Sequence, residues 1–83
     1  MIWNLLKRKK DRILPIAPVD RLIRKANVKR VSEQAAVALA EILEEIGLEI
    51  SKAAVDLSNH AHRITVNADD IKLAWKQMKR NIF

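Results

Sequence analysis

Apolar side chains recur at steps of three and four over residues 32–60: Val37, Leu39, Ile42, Leu43, Ile46, Ile50, Ala53, Ala54 and Leu57. This spacing predicts one long amphipathic helix. Ser32 is placed to cap it, because its hydroxyl can accept from a free first-turn N–H. No Pro interrupts the run, so it spans roughly 43 Å. Gly47 costs about 1 kcal/mol relative to Ala in such a helix. It is either tolerated there or marks the close approach of a second backbone. A shorter stripe precedes the long one: Val19, Leu22, Ile23 and Ala26. Pro15 and Pro18 confine its start to about Ala17–Val19, since Pro suits a first helical turn. Asn27 tolerates a left-handed backbone and is a good helix stop. Val28–Val31 reads as a connector, and Arg63–Val66 as a short extended one. Asn67 and Asp70 form a capping pair for a third helix over Ala68–Arg80. Ile71, Ala74, Trp75 and Met78 line its apolar face, with Lys79 and Arg80 at its end.

The composition narrows the class of protein. With 83 residues, the chain is long enough for one domain. At 49% apolar it is too hydrophobic for wholesale disorder. One Gly and two Pro leave little turn chemistry for a many-stranded fold. The absence of Cys excludes disulfide and Cys-zinc scaffolds. No apolar run reaches the roughly 18 residues of a membrane-spanning helix. The N-terminus lacks the pattern of a secretory signal, so the expected location is the cytoplasm. The fold class expected is therefore all-α.

Charge adds a direction. The net charge is +6, and an anionic partner is the first expectation. Residues 1–12 and residues 13–31 each carry +4, residues 32–60 carry −5, and residues 61–83 carry +3. The middle is acidic and both flanks are basic. The first 12 residues account for most of the excess.

A helix of about 43 Å is longer than a compact domain of this size is wide, since the radius of gyration is about 12 Å. Two short helices cannot cover its apolar surface. A second copy is the simplest cover. An antiparallel crossing of two long helices sets the first connector of one chain beside the second connector of the other. Lys29, Arg30, Arg63 and Thr65 then share each end of the dimer.

Three stretches carry a resemblance: LPIAPVDRLIRKA (14–26), RVSEQAAVALAEILEEIG (30–47) and HAHRITVNADDIKLAWK (60–76). Together they resemble the archaeal histones, over about residues 14–80. The resemblance implies a histone fold over residues 14–83, forming a handshake homodimer that binds and wraps double-stranded DNA on the chromosome. Residues 1–13 are then an added basic extension. By the same resemblance, Arg21 meets the DNA backbone, Arg30 enters an inward-facing minor groove, and Thr65 contacts a phosphate. Lys29 adds charge beside Arg30. The start of the first helix, near Pro18, points free N–H groups at a phosphate. Arg63 and Asp70 form an ion pair bracing the second connector. Leu57, His60 and Asp70 occupy positions where dimers meet to build higher oligomers. Such contacts read charge and deformability rather than base sequence. Binding is therefore expected to be non-specific and steeply salt-dependent.

Three positions depart from the family. Asn27 and His62 stand where glycine is common. Ile64 stands where a DNA-contacting lysine is common. These departures leave open a chain that pairs with a different histone-fold partner as a regulator or scaffold. In the extension, Lys7, Arg8, Lys9 and Lys10 are candidate DNA contacts. Ile2, Trp3, Leu5 and Leu6 beside them are read as packing on protein. A membrane-surface anchor is the weaker reading, because one short segment binds membrane only marginally. His60 and His62 point apart and lack a third ligand, so no metal is expected. No cofactor and no catalysis are expected: there is no phosphate loop and no nucleophile–base set. Glu44 and Glu45 are read as solvated, and Trp75 as packing at the core or its rim.

Overall fold

The structure, a computed structural model, describes residues 12–82. It contains α1 (Ile16–Arg24), α2 (Glu33–His60) and α3 (Ala68–Ile82), and no strand among the described residues. The fold is all-α, in the order of the histone fold. Two compact units divide the chain at Glu45 and Ile46, and α2 runs through both.

Each helix starts where local chemistry dictates. At α2, the Ser32 hydroxyl accepts from the Ala35 N–H at 3.0 Å. At α3 the cap is reciprocal. Asn67 Oδ1 accepts from the Asp70 N–H at 3.1 Å, and Asp70 Oδ2 accepts from the Asn67 N–H at 3.0 Å. Helix α3 ends at Ile82, beyond the expected Arg80. Helix α1 begins at Ile16, earlier than expected, and closes at Arg24. Pro15 is its cap and Pro18 its third residue, a position where a missing N–H costs nothing. Ala26 falls outside the helix and is exposed. There the chain tightens, as the Ala26 N–H donates to the Ile23 carbonyl at 2.9 Å.

In the first unit, Val19, Ala36 and Ala40 form the buried centre. Leu14, Ile16, Ile23, Val31, Leu39 and Leu43 pack around it. Alanines one turn apart on α2 leave room for Val19 of α1 to come close. In the second unit, Ala54 and Ser58 on α2 and Asp70 and Ala74 on α3 are buried. Each pair is again one turn apart.

The two connectors share a plan. Asn27 and His62 are the described non-glycine residues with positive φ, at 71° and 59°. Five residues after each comes a helix cap, Ser32 and Asn67. Positions where glycine is expected thus keep the glycine conformation with a side chain present. Holding a side chain there costs on the order of 1 kcal/mol. His62→Gly is expected to stabilise the protein by about that amount, less the entropy glycine adds to the unfolded chain. Thermal unfolding measures it.

Gly47 admits a simple reading within the chain: a Cβ built there meets nothing within 4 Å. The chain's own backbone is not what approaches it.

Candidate nucleic-acid interface

The second connector is held by a network of side-chain hydrogen bonds. The Arg63 guanidinium grips Asp70 with two parallel bonds. Nη1 donates to Oδ2 at 2.8 Å and Nη2 to Oδ1 at 2.8 Å. Nη1 also donates to the Thr65 carbonyl at 3.2 Å. From the other side, the Ser58 hydroxyl donates to the Arg63 carbonyl at 2.9 Å and reaches the Thr65 carbonyl at 3.1 Å. The Arg63 N–H donates back to the Ser58 carbonyl at 3.0 Å. Ser58 is 2% exposed and Asp70 5%.

The electrostatics follow from this geometry. The hydrogen bond from Arg63, and then that from the Asn67 N–H, hold the Asp70 carboxyl down to about 2. The bond to Asp70 in turn raises Arg63 above the ordinary arginine range. Both groups stay charged throughout the physiological range. The connector is therefore braced from inside, and its tip faces outward. Thr65 is exposed, and Ile64 is fully exposed.

The first connector is held by a different arginine. Arg24 Nε donates to Asp20 Oδ2 at 2.9 Å, one turn back on α1. Its Nη1 donates to the Lys29 carbonyl at 3.1 Å. Lys29 and Arg30 beyond it are exposed, as are Arg21 and Pro18 on α1.

The structure thus brings Arg63, Thr65 and Asp70 together in one network. It sets Lys29 and Arg30 side by side on the first connector, after Arg21 and Pro18 on α1. Leu57 is half-buried and His60 exposed at the end of α2, while Asp70 is committed to Arg63 and Asn67. Lys7, Arg8, Lys9 and Lys10 lie outside the described residues. Trp75 is partly exposed on α3.

One reading is corrected. Glu44 is not merely solvated: its Oε1 accepts from the Ile13 N–H at 2.8 Å and its Oε2 from the Leu14 N–H at 3.3 Å. Two successive amides ahead of α1 have no helical partner, and one carboxylate satisfies both. The roles of Ser58 and Arg24 also emerge only here. The Asp20/Arg24 spacing of four was a usable signal for the second. A lone serine in a long helix gave none for the first.

Known proteins are similar to this chain in sequence. Residues 12–75 match the family described as histone-like transcription factor (CBF/NF-Y) and archaeal histone. The chain belongs to this family. Within it, the chain is 60% identical over 63 residues to a subunit of the archaeal histone HAN1 of Thermococcus zilligii. It is 52% identical over 63 residues to probable archaeal histone 3 of Methanocaldococcus jannaschii. Each match spans 76% of this chain and 94% of the relative. Both braced connectors lie inside the family match. Among the described residues no helix is long and apolar enough to cross a membrane.

Proposed function

We propose that this histone chain binds double-stranded DNA without reading its sequence, and compacts it by wrapping, as a dimer. The observation that carries the reading is Arg30, exposed on a connector whose backbone is held from within. A weakly hydrated guanidinium on a preset support suits a narrow, strongly negative minor groove. Arg21, Lys29 and Thr65 add contacts to the DNA backbone. Pro15 supplies no side-chain cap to α1, so the first-turn amides near Pro18 are open to a phosphate. Lys7, Arg8, Lys9 and Lys10 add charge to the same partner. In the cell, the protein belongs on the chromosome.

The dimer is supported by how little one chain buries. Its buried apolar residues, among those described, are Val19 and four alanines. Meanwhile Leu22, Ile42, Leu48, Val55, Ile71 and Leu73 stay between 39% and 50% exposed. A second histone-fold chain is the natural cover for α2 and α3. In this reading Leu57, His60 and Asp70 lie where one dimer meets the next.

A second reading is that the partner is a different histone-fold chain. The Thermococcus relative favours it, since that protein is named as one subunit of its histone. One experiment separates them. The chain is purified alone, weighed by sedimentation, mixed with random duplex and digested with nuclease. A stable homodimer that protects DNA in a ladder of lengths is the expected result. A chain that neither dimerises nor protects DNA alone overturns the homodimer and favours the mixed pair.

A further inference from the structure

We infer that Asp20 and Arg24 form a positioning device for DNA binding, which sets the direction in which Lys29 and Arg30 are presented. The inference rests on the proposed reading of the first connector as a DNA contact, and it deepens that reading.

The peptide that Arg24 holds is the first link. The carbonyl of Lys29 belongs to the peptide unit that joins Lys29 to Arg30. That unit is planar, so holding its oxygen restricts how the plane carrying the Arg30 N–H can swing. Arg24 Nη1 holds this oxygen at 3.1 Å. One guanidinium thus restrains the torsions immediately before and after the peptide that joins the two cationic residues. The grip needs a fixed guanidinium. Asp20 fixes it by accepting from Nε at 2.9 Å. Asp20 is in turn anchored on α1, beside Val19 in the buried centre of the unit. The chain of support runs from packed helix to carboxylate, to guanidinium, to peptide, to Arg30.

The second connector shows that this arrangement is a plan rather than an isolated contact. There Arg63 is held by Asp70 and donates to the Thr65 carbonyl. In both connectors a carboxylate on a helix orients an arginine, and the arginine grips a carbonyl of the connector. The difference is exposure. The Arg24 and Asp20 side chains are 47% and 30% exposed, whereas that of Asp70 is 7% exposed. An exposed pair one turn apart contributes little to fold stability. Its effect on the direction of Arg30 is then its main consequence.

Charge poses a puzzle that positioning answers. Asp20 is the acidic residue in an otherwise basic stretch, among Arg21, Arg24, Lys25, Lys29 and Arg30. For a surface that meets phosphates, an acid there weakens long-range attraction. Through-space charge alone predicts that Asp20→Ala tightens DNA binding. Positioning predicts the opposite sign.

The test uses the full chain and a random-sequence duplex, with affinity measured by fluorescence anisotropy at several salt concentrations. Asp20→Ala is expected to weaken binding at least about threefold, despite the gain of one positive charge per chain. Asp20→Glu restores part of the loss. In an Arg30→Ala background, Asp20→Ala produces no further loss, because there is no side chain left to aim. Melting temperature and dimer mass stay close to those of the unaltered protein, which separates positioning from a folding defect. Arg24→Lys behaves like Asp20→Ala, since a lysine has a single nitrogen and cannot hold carboxylate and carbonyl in one planar fork. Tighter binding by Asp20→Ala, or an equal loss with and without Arg30, overturns the inference. If Arg30→Ala itself leaves affinity unchanged, the reading of the connector as a DNA contact fails first, and the inference falls with it.

Discussion

Asp70→Ala is expected to lower the melting temperature by on the order of 10 °C, the largest stability loss among the substitutions named here. Asp70 accepts two bonds from Arg63 and one from the Asn67 N–H, while its own N–H completes the cap with Asn67. Removing the carboxylate strands the guanidinium beside the Thr65 carbonyl and leaves the Asn67 amide unpaired. The start of α3 and the whole second connector lose their brace together. The pH dependence has a definite sign. The Asp70 carboxyl is held down to about 2 in the folded protein. The ionised form is therefore favoured by folding. Its stabilisation is fully present above roughly pH 4, the ordinary aspartate range, and is lost as pH falls through about 2. Asp70→Asn removes that part of the acid sensitivity, since the amide does not titrate. Calorimetry of both variants between pH 2 and 7 checks this. An Asp70→Asn variant with an unchanged acid profile places the acid sensitivity elsewhere.

Arg30→Ala is expected to weaken binding to random duplexes by about tenfold or more and to flatten its salt dependence by roughly two in the log–log slope for a dimer. Two arginines are lost per dimer, and each releases about one counterion on binding. The loss should be similar for unrelated sequences, because a minor-groove arginine reads charge and width rather than base identity. Ile64→Lys acts in the opposite direction. Ile64 is fully exposed at the tip of the braced second connector, so a lysine there fits without repacking. It is expected to tighten binding and steepen the salt slope by a similar amount. Anisotropy titrations from low to moderate salt measure both. An unchanged slope for Arg30→Ala rules out its insertion as a charged group into the minor groove. A strong sequence preference in the unaltered protein rules out readout of charge and shape alone.

Much of this protein is legible before folding. The three helices, the caps at Ser32 and Asn67, the left-handed stop at Asn27 and the separation of basic flanks from an acidic middle are all local in the chain. They depend on residues within a turn or two of one another, and short-range rules suffice for them. The Arg63–Asp70 pair entered by resemblance, and the geometry adds its two-pronged form and its hold on the Thr65 carbonyl. The ends of α1 were less legible. Two prolines signal a start without saying which residue begins it, and Ala26 followed the stripe although it lies past the helix.

The sequence by itself determined the helices, their order, the polarity of charge and the excess of apolar surface that calls for a partner. Only the tertiary structure decided which polar groups do the bracing. Glu44 meets the amides of Ile13 and Leu14 across a separation of about thirty residues. Ser58 reaches back to two connector carbonyls. Arg24, though half-exposed, reaches the Lys29 carbonyl. Spacing hints at the Asp20–Arg24 pair, but composition and spacing do not announce which connector carbonyl or amide each of these groups reaches. An unpaired backbone group takes whichever donor or acceptor the packed helices bring within about 3 Å, and that choice is made by packing, after the helices exist.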